Sequence, residues 1–208
     1  MMEKVTDVND KKRAIETLED PPIARALFGN VRWAWIWLIL RLYAGYEWFS
    51  AGLEKVQSPA WVGPTAGTAI TGFAKGALNK ASGDHPDVQD WYAAFLQNVV
   101  LPNASLWGHL IAYGELLVGV ALILGLFTGI VAFFGSFMNA NYLLAGTVST
   151  NPILFAIATF LVLAWKIAGW WGLDRWILPA LGTPWRPGTL FHGHTAASKP
   201  SATTQSHT

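Results

Sequence analysis

The sequence predicts an all-α integral membrane protein: a four-transmembrane-helix bundle with a long outer loop that contains short interfacial helices. Three observations predict it. Apolar residues make up 52% of the 208-residue chain. Charged residues make up only 13%, about half the usual share of roughly 25% in soluble domains. Four apolar runs of roughly 20 residues, long enough to cross a hydrocarbon core as helix, recur with almost no polar stripe. They place spans at about 33–53, 106–127, 129–148 and 152–172. A net charge of +1 gives no basic signature for nucleic acid. There is no cysteine, which excludes disulfides, thiolate nucleophiles and cysteine-ligated iron–sulfur clusters within the chain.

In chain order, residues 1–30 read as a cytosolic arm of mixed charge. It has no apolar core of its own, so the first span is expected to act as an uncleaved insertion signal. Asp20 before Pro21-Pro22 starts a short helix, PPIARALF, against the membrane surface. Residues 31–180 form the membrane domain. Within it, the outer loop 53–104 is rich in Gly, Pro and Trp. Its segments TAITGFAKGAL and DVQDWYAAFLQNVV have helical apolar spacing but are too short or too polar to span. They are expected as interfacial or re-entrant pieces capping the bundle. GLFTG and TVSTNP are tight connections, which makes spans two, three and four antiparallel neighbours. After the fourth span an aromatic and basic stretch lies at the interface, and 181–208 ends in a low-complexity, disordered tail.

Orientation follows from lysine and arginine in the flanks. Lys4, Lys11, Lys12, Arg13, Arg25, Arg32, Arg175, Arg186 and Lys199 lie on one side; Lys55, Lys75 and Lys80 lie on the other. The positive-inside rule then puts a multi-pass protein in the cell membrane with both termini cytoplasmic.

Ionisable residues inside the spans mark the candidate site, because a charge at the bilayer centre costs roughly 2.5–3.5 kcal/mol even on the lenient scale. Counting the helical rise brings Arg41 of the first span and Glu115 of the second to a similar depth, with Asn139 and Tyr142 of the third nearby. An Arg41–Glu115 ion pair, bridged by the Asn139 amide, is the expectation. Arg41, Gly45, Trp48, Gly52 and Lys55 form one seam of small and polar residues along the first span. Glu47 lies on another stripe, and its expected neighbours in a second, outer site are His109 and Tyr113.

The run RLYAGYEWFSAGLEKV, followed after the loop by YGELLVGVALILGLFTG, resembles the DoxX/DoxD membrane proteins. The matching positions are Arg41, Gly45, Gly52 and Lys55, then Glu115, Gly119, Leu122 and Gly125. NANYLLAGTVSTNP and LAWKIAGWWGLDRW look like the DoxD branch, and the resemblance covers about residues 33–180. That branch includes the large subunit of a quinone-linked thiosulfate dehydrogenase. The resemblance therefore implies a membrane subunit of a quinone-linked oxidoreductase that passes electrons from thiosulfate or another sulfur compound to membrane quinone. It also implies a partner subunit, DoxA-like or part of a larger membrane complex.

Chemistry narrows the carrier. Without cysteine, and without a pair of intramembrane histidines, the chain supplies no iron–sulfur or bis-histidine haem ligands, and no metal site is expected. Bound quinone is the remaining carrier, and it needs hydrogen-bond donors and a proton source. The expected catalytic residues are Arg41, Glu47 and Glu115; Trp48, Asn139 and Tyr142 are expected to hold the quinone; Lys55 and His109 are expected to guide an anionic substrate in from the loop. Two other readings stay open: a non-catalytic membrane scaffold subunit of a larger complex, and a small transporter or proton relay.

Overall fold

In the computed structural model, which describes residues 20–183, the chain is helical, with no strand among the described residues. The residues of the expected arm before 20 and of the expected tail beyond 183 lie outside that range. Helix α1, Pro22–Gly29, begins with proline in its first turn, where a missing N–H leaves no bond unmade. Asn30 ends it, and its side chain accepts from Arg32 N to start a 3-10 turn, Val31–Trp33. The chain bends by 64° there and enters α2, Ala34–Gln57. Trp37 ties the two together: its indole N–H donates to Leu27 O at 2.8 Å, and its ring stacks on Phe28.

Helix α3, Thr68–Asn79, starts at Gly67, whose φ of +97° suits glycine. A side chain there would also strike Ser105. Helix α4, Asp90–Phe95, runs through a π turn, Leu96–Val100, and a 3-10 turn, Leu101–Asn103, into α5, Ala104–Leu124. The expected interfacial piece and the expected second span are thus one helix of 35 residues, Asp90–Leu124. Pro102 explains the local change of pitch. It has no N–H to give the helix ladder, so the backbone widens before it and tightens at it.

Helix α6, Thr128–Leu144, and helix α7, Asn151–Leu163, follow. The fourth expected span was to reach residue 172, but α7 stops at Leu163 and residues 164–173 turn repeatedly. The cause is tertiary. Leu173 N donates to Leu124 O and Asp174 N to Gly125 O, which pulls this chain onto the turn between α5 and α6. A Cβ at Gly172 would overlap Gly125, so only glycine fits the approach. Helix α8, Asp174–Ala180, closes the described chain.

The long helices pack as a ring: α2 on α5, α5 on α6, α6 on α7, and α7 on α2. Two cores result. One, inside the ring, includes Trp37, Trp48, Leu122, Leu154 and Leu161. The other, under a cap made by α3, α4 and the π turn, includes Ile70, Val88, Tyr92 and Leu96. By length and composition Asp90–Leu124 suffices to cross a membrane, and α1 with α2 makes a second such stretch if the bent pair is one span. Helix α7 is apolar but only 13 residues long, roughly 20 Å at the α-helical rise.

Candidate functional site

Glycines set the register of α2 on α5. A Cβ at Gly52 would overlap the Glu115–Leu116 backbone, and one at Gly119 would overlap Phe49. Small residues at such crossings let two backbones approach closely. That register brings Glu115 to Lys55, one turn beyond Gly52. The Lys55 ammonium donates to Glu115 Oε2 at 2.6 Å, and the Tyr142 hydroxyl donates to Oε1 at 2.5 Å. Glu115 is only 2% exposed. Its two oxygens are satisfied by groups from α2 and α6, and such charge-assisted bonds let a carboxylate sit in a dry interior. Lys55 also lies 5.2 Å from the centre of the Trp61 ring, a favourable cation–π contact. Phe73 of the cap packs edge-on against Tyr142.

Next to Tyr142 is an apolar cleft of about 580 Å³ between α5, α6 and the cap. Leu117, Val118 and Ala121 form one wall, Val131, Phe134 and Met138 the other, and Phe73, Phe95 and Leu96 the roof. Tyr92, Asn141 and Tyr142 bring polar atoms to the cap end. The Tyr92 hydroxyl donates to Asn141 O at 2.9 Å, and Asn141 Nδ2 donates to Phe137 O at 2.8 Å. Leu117 and Phe137, at the rim, are 67% and 59% exposed. The cleft therefore opens along an apolar side of the molecule rather than into a polar mouth.

The expected Arg41–Glu115 pair does not form. Arg41 donates instead to Leu122 O at 2.6 Å, Ile123 O at 3.1 Å and Trp171 O at 3.2 Å. Two of these are carbonyls in the last turn of α5, where the helix dipole is negative; Leu122 O also accepts from the capping Gly125 N at 3.2 Å. Asp174 does the reverse at the start of α6. Its carboxylate accepts from Phe127 N at 2.6 Å and Thr128 N at 2.9 Å, and it also attracts Arg41. The glycine contacts explain why the depth count misled: they lay Glu115 beside Gly52, roughly 16 Å along α2 from Arg41.

Of the other expected residues, Tyr142 lines the cleft, whereas Trp48 and Asn139 lie sealed in the ring core and do not. Asn139 bridges nothing: neither its amide nor the Trp48 indole N–H has a hydrogen-bond partner among the described residues. Glu47 is half-buried, and its carboxylate makes no bond among the described residues. His109 Nδ1 lies 2.7 Å from Ser105 O and its ring stacks on Tyr113, so the outer site does not assemble around Glu47. The reason is angular. Glu47 is off the face that α2 turns to α5. No group of His, Cys, Asp and Glu able to hold a metal occurs among the described residues.

Sequence reasoning gave Lys55 a different part, substrate access, although its place on the Arg41–Gly52 seam pointed it at α5. It placed Asn141 only as a polar group a turn above Asn139, and it missed Asp174 and Tyr92 altogether. Asp174 carried a usable signal, a lone acid in an otherwise apolar and aromatic run, GWWGLDRW.

A model of the DoxX family matches residues 36–147, more than half of the chain. The matched range holds Lys55, Glu115 and Tyr142 together. No curated protein and no solved structure matches.

Proposed function

The chain belongs to the DoxX family, and from that premise we propose that it is the membrane subunit of a quinone-linked oxidoreductase. Membership associates the protein with the lipid bilayer. In this reading α2, α5, α6 and α7 cross the membrane as a four-helix bundle, the cap lies on the outer side, and both termini are cytoplasmic. The electron donor is thiosulfate or another sulfur compound, oxidised with the help of a partner subunit.

One observation carries the reading: an apolar cleft with a proton-bearing chain, Tyr142–Glu115–Lys55, at its polar end. The residues present fit a quinone. The cleft volume of about 580 Å³ is within the usual range for small-molecule sites, and its walls are apolar with a few convergent polar groups. Phe134 and Phe137 suit a flat ring or an isoprenoid tail, and the exposed rim admits a ligand from lipid. A bound quinone supplies two-electron chemistry that takes up two protons as it becomes the quinol.

The chain's own residues do the rest. Tyr142 presents its phenol at the cleft and holds a proton that it shares with Glu115. As Tyr142 gives up its proton, the Glu115 carboxylate takes one from the Lys55 ammonium and passes it to Tyr142, and Lys55, partly exposed beneath Trp61, is reprotonated from the cap surface. Phe73 keeps the Tyr142 ring in place, and the apolar walls exclude water from the reacting end. Arg41 is left with a structural part, since all its bonds go to backbone carbonyls.

A second reading, a non-catalytic scaffold subunit, is favoured by the full occupancy of both Glu115 oxygens by groups of neighbouring helices. The experiment that separates them is mass spectrometry of lipid extracts from the detergent-purified protein. The redox reading expects a retained quinone that disappears in Ala121→Trp, which fills the cleft. Its absence from both preparations, with the fold intact, selects the scaffold.

A further inference from the structure

The two residues that the cleft does not use share an unusual feature. Asn139 is 0% exposed and, among the described residues, neither its amide nitrogen nor its amide oxygen has a partner; the buried indole N–H of Trp48 has none there either. A buried amide without bonds costs several kcal/mol, so native interiors pair such groups or hydrate them. These atoms also share a location. Gly135, Asn139 and Tyr142 follow one another at 4 and 3 residues along one face of α6. Gly135 admits the Trp48 ring: a Cβ built there would lie 3.4 Å from Trp48 Nε1. The indole N–H thus reaches α6 one turn before Asn139, and the Tyr142–Glu115 bond lies one turn after it.

We infer that Asn139 and Trp48 together hold an internal water in the core of the helix ring, one turn along α6 from the Glu115–Tyr142 bond. The site supplies two donors and one acceptor, which is the two to four polar partners an internal water needs. Water here is a small protic ligand bound by geometry, independent of what the cleft takes. It places a small polar molecule one turn along α6 from Tyr142, among the apolar side chains of the ring core.

Hydroxyl-radical footprinting by X-ray radiolysis, read by mass spectrometry, tests this, because radicals form at bound internal water. Trp37 is the internal control: it is 2% exposed against 3% for Trp48, but its indole N–H is bonded to Leu27 O. The expected result is at least five-fold more oxidation at Trp48 than at Trp37 in the unaltered protein in nanodiscs. Asn139→Leu, close in shape but unable to bind water, is expected to bring Trp48 down to the Trp37 level. Equal labelling of the two indoles in the unaltered protein overturns the proposal, and that comparison needs no variant to fold. Undiminished labelling in a folded Asn139→Leu also overturns it, because the water is then not held by Asn139.

Discussion

Lys55 Nζ and Glu115 Oε2 lie 2.6 Å apart, and this ion pair joins α2 to α5 where the ring of long helices meets the cap. Lys55 is 21% exposed and Glu115 is 2% exposed, so the pair is a largely desolvated one. Breaking one partner of such a pair leaves an uncompensated charge inside the protein.

Glu115→Gln is accordingly expected to destabilise the protein by about 3 kcal/mol, the low end for breaking a buried pair. Lys55→Met alone should cost a similar amount. The double variant Lys55→Met with Glu115→Gln should recover most of the loss, since no unpaired charge remains. Thermal unfolding of all four proteins in one detergent measures the coupling. Additive losses would mean that the two side chains do not interact in solution.

Tyr142→Phe keeps the ring against Phe73 and removes only the hydroxyl, which the proposed quinone chemistry uses as a proton donor. Quinone retention should stay near its original level while the rate of quinone reduction falls about 100-fold, the lower range for loss of a positioned acid. Steady-state kinetics with a short-chain quinone analogue give the split between kcat and KM. A raised KM with unchanged kcat would make the hydroxyl a binding group only.

The glycines divide into two kinds. Gly119→Ala drives a methyl into the Phe49 backbone and is expected to cost about 1–3 kcal/mol through overpacking. Gly72 and Gly76 lie inside α3, where an added methyl would meet nothing within 4 Å. Alanine at either should stabilise by about 0.5–1 kcal/mol through helix propensity alone. Melting temperatures that move in opposite directions check both claims.

Asp174→Ala removes the acceptor for Phe127 N and Thr128 N at the start of α6. A loss of about 1–2 kcal/mol is expected, the range for a helix N-cap. Asp174→Asn should recover part of it, as an amide oxygen still accepts. Hydrogen exchange should show the effect first at the amides of residues 127 and 128. Unchanged exchange there would remove the capping role.

Much of this was legible beforehand. The apolar runs marked the four long helices, and the Gly45–Gly52–Gly119 pattern marked the α2–α5 crossing. Glu115 and Tyr142 stand out as polar groups in hydrocarbon stretches, but their direct bond was not legible: the depth count placed Tyr142 a turn above the level of Glu115. What failed was depth. Counting from the first apolar residue assumed that both helices begin at a membrane edge, yet α5 is the continuation of α4 and its register is set by glycine contacts. That error paired Arg41 with Glu115 in place of Lys55. The early end of α7 was illegible for another reason: hydrogen bonds to Leu124 and Gly125, far away in sequence, break a run that is locally good helix.

The exposed rim of the cleft, Leu117 and Phe137, sets how its occupant must be counted. In the proposed reading, a quinone that arrives through such a side door travels in two dimensions, and its effective concentration is a mole fraction of the surrounding lipid. Diluting the vesicles with buffer leaves occupancy unchanged, whereas adding inert phospholipid at constant total ligand lowers it.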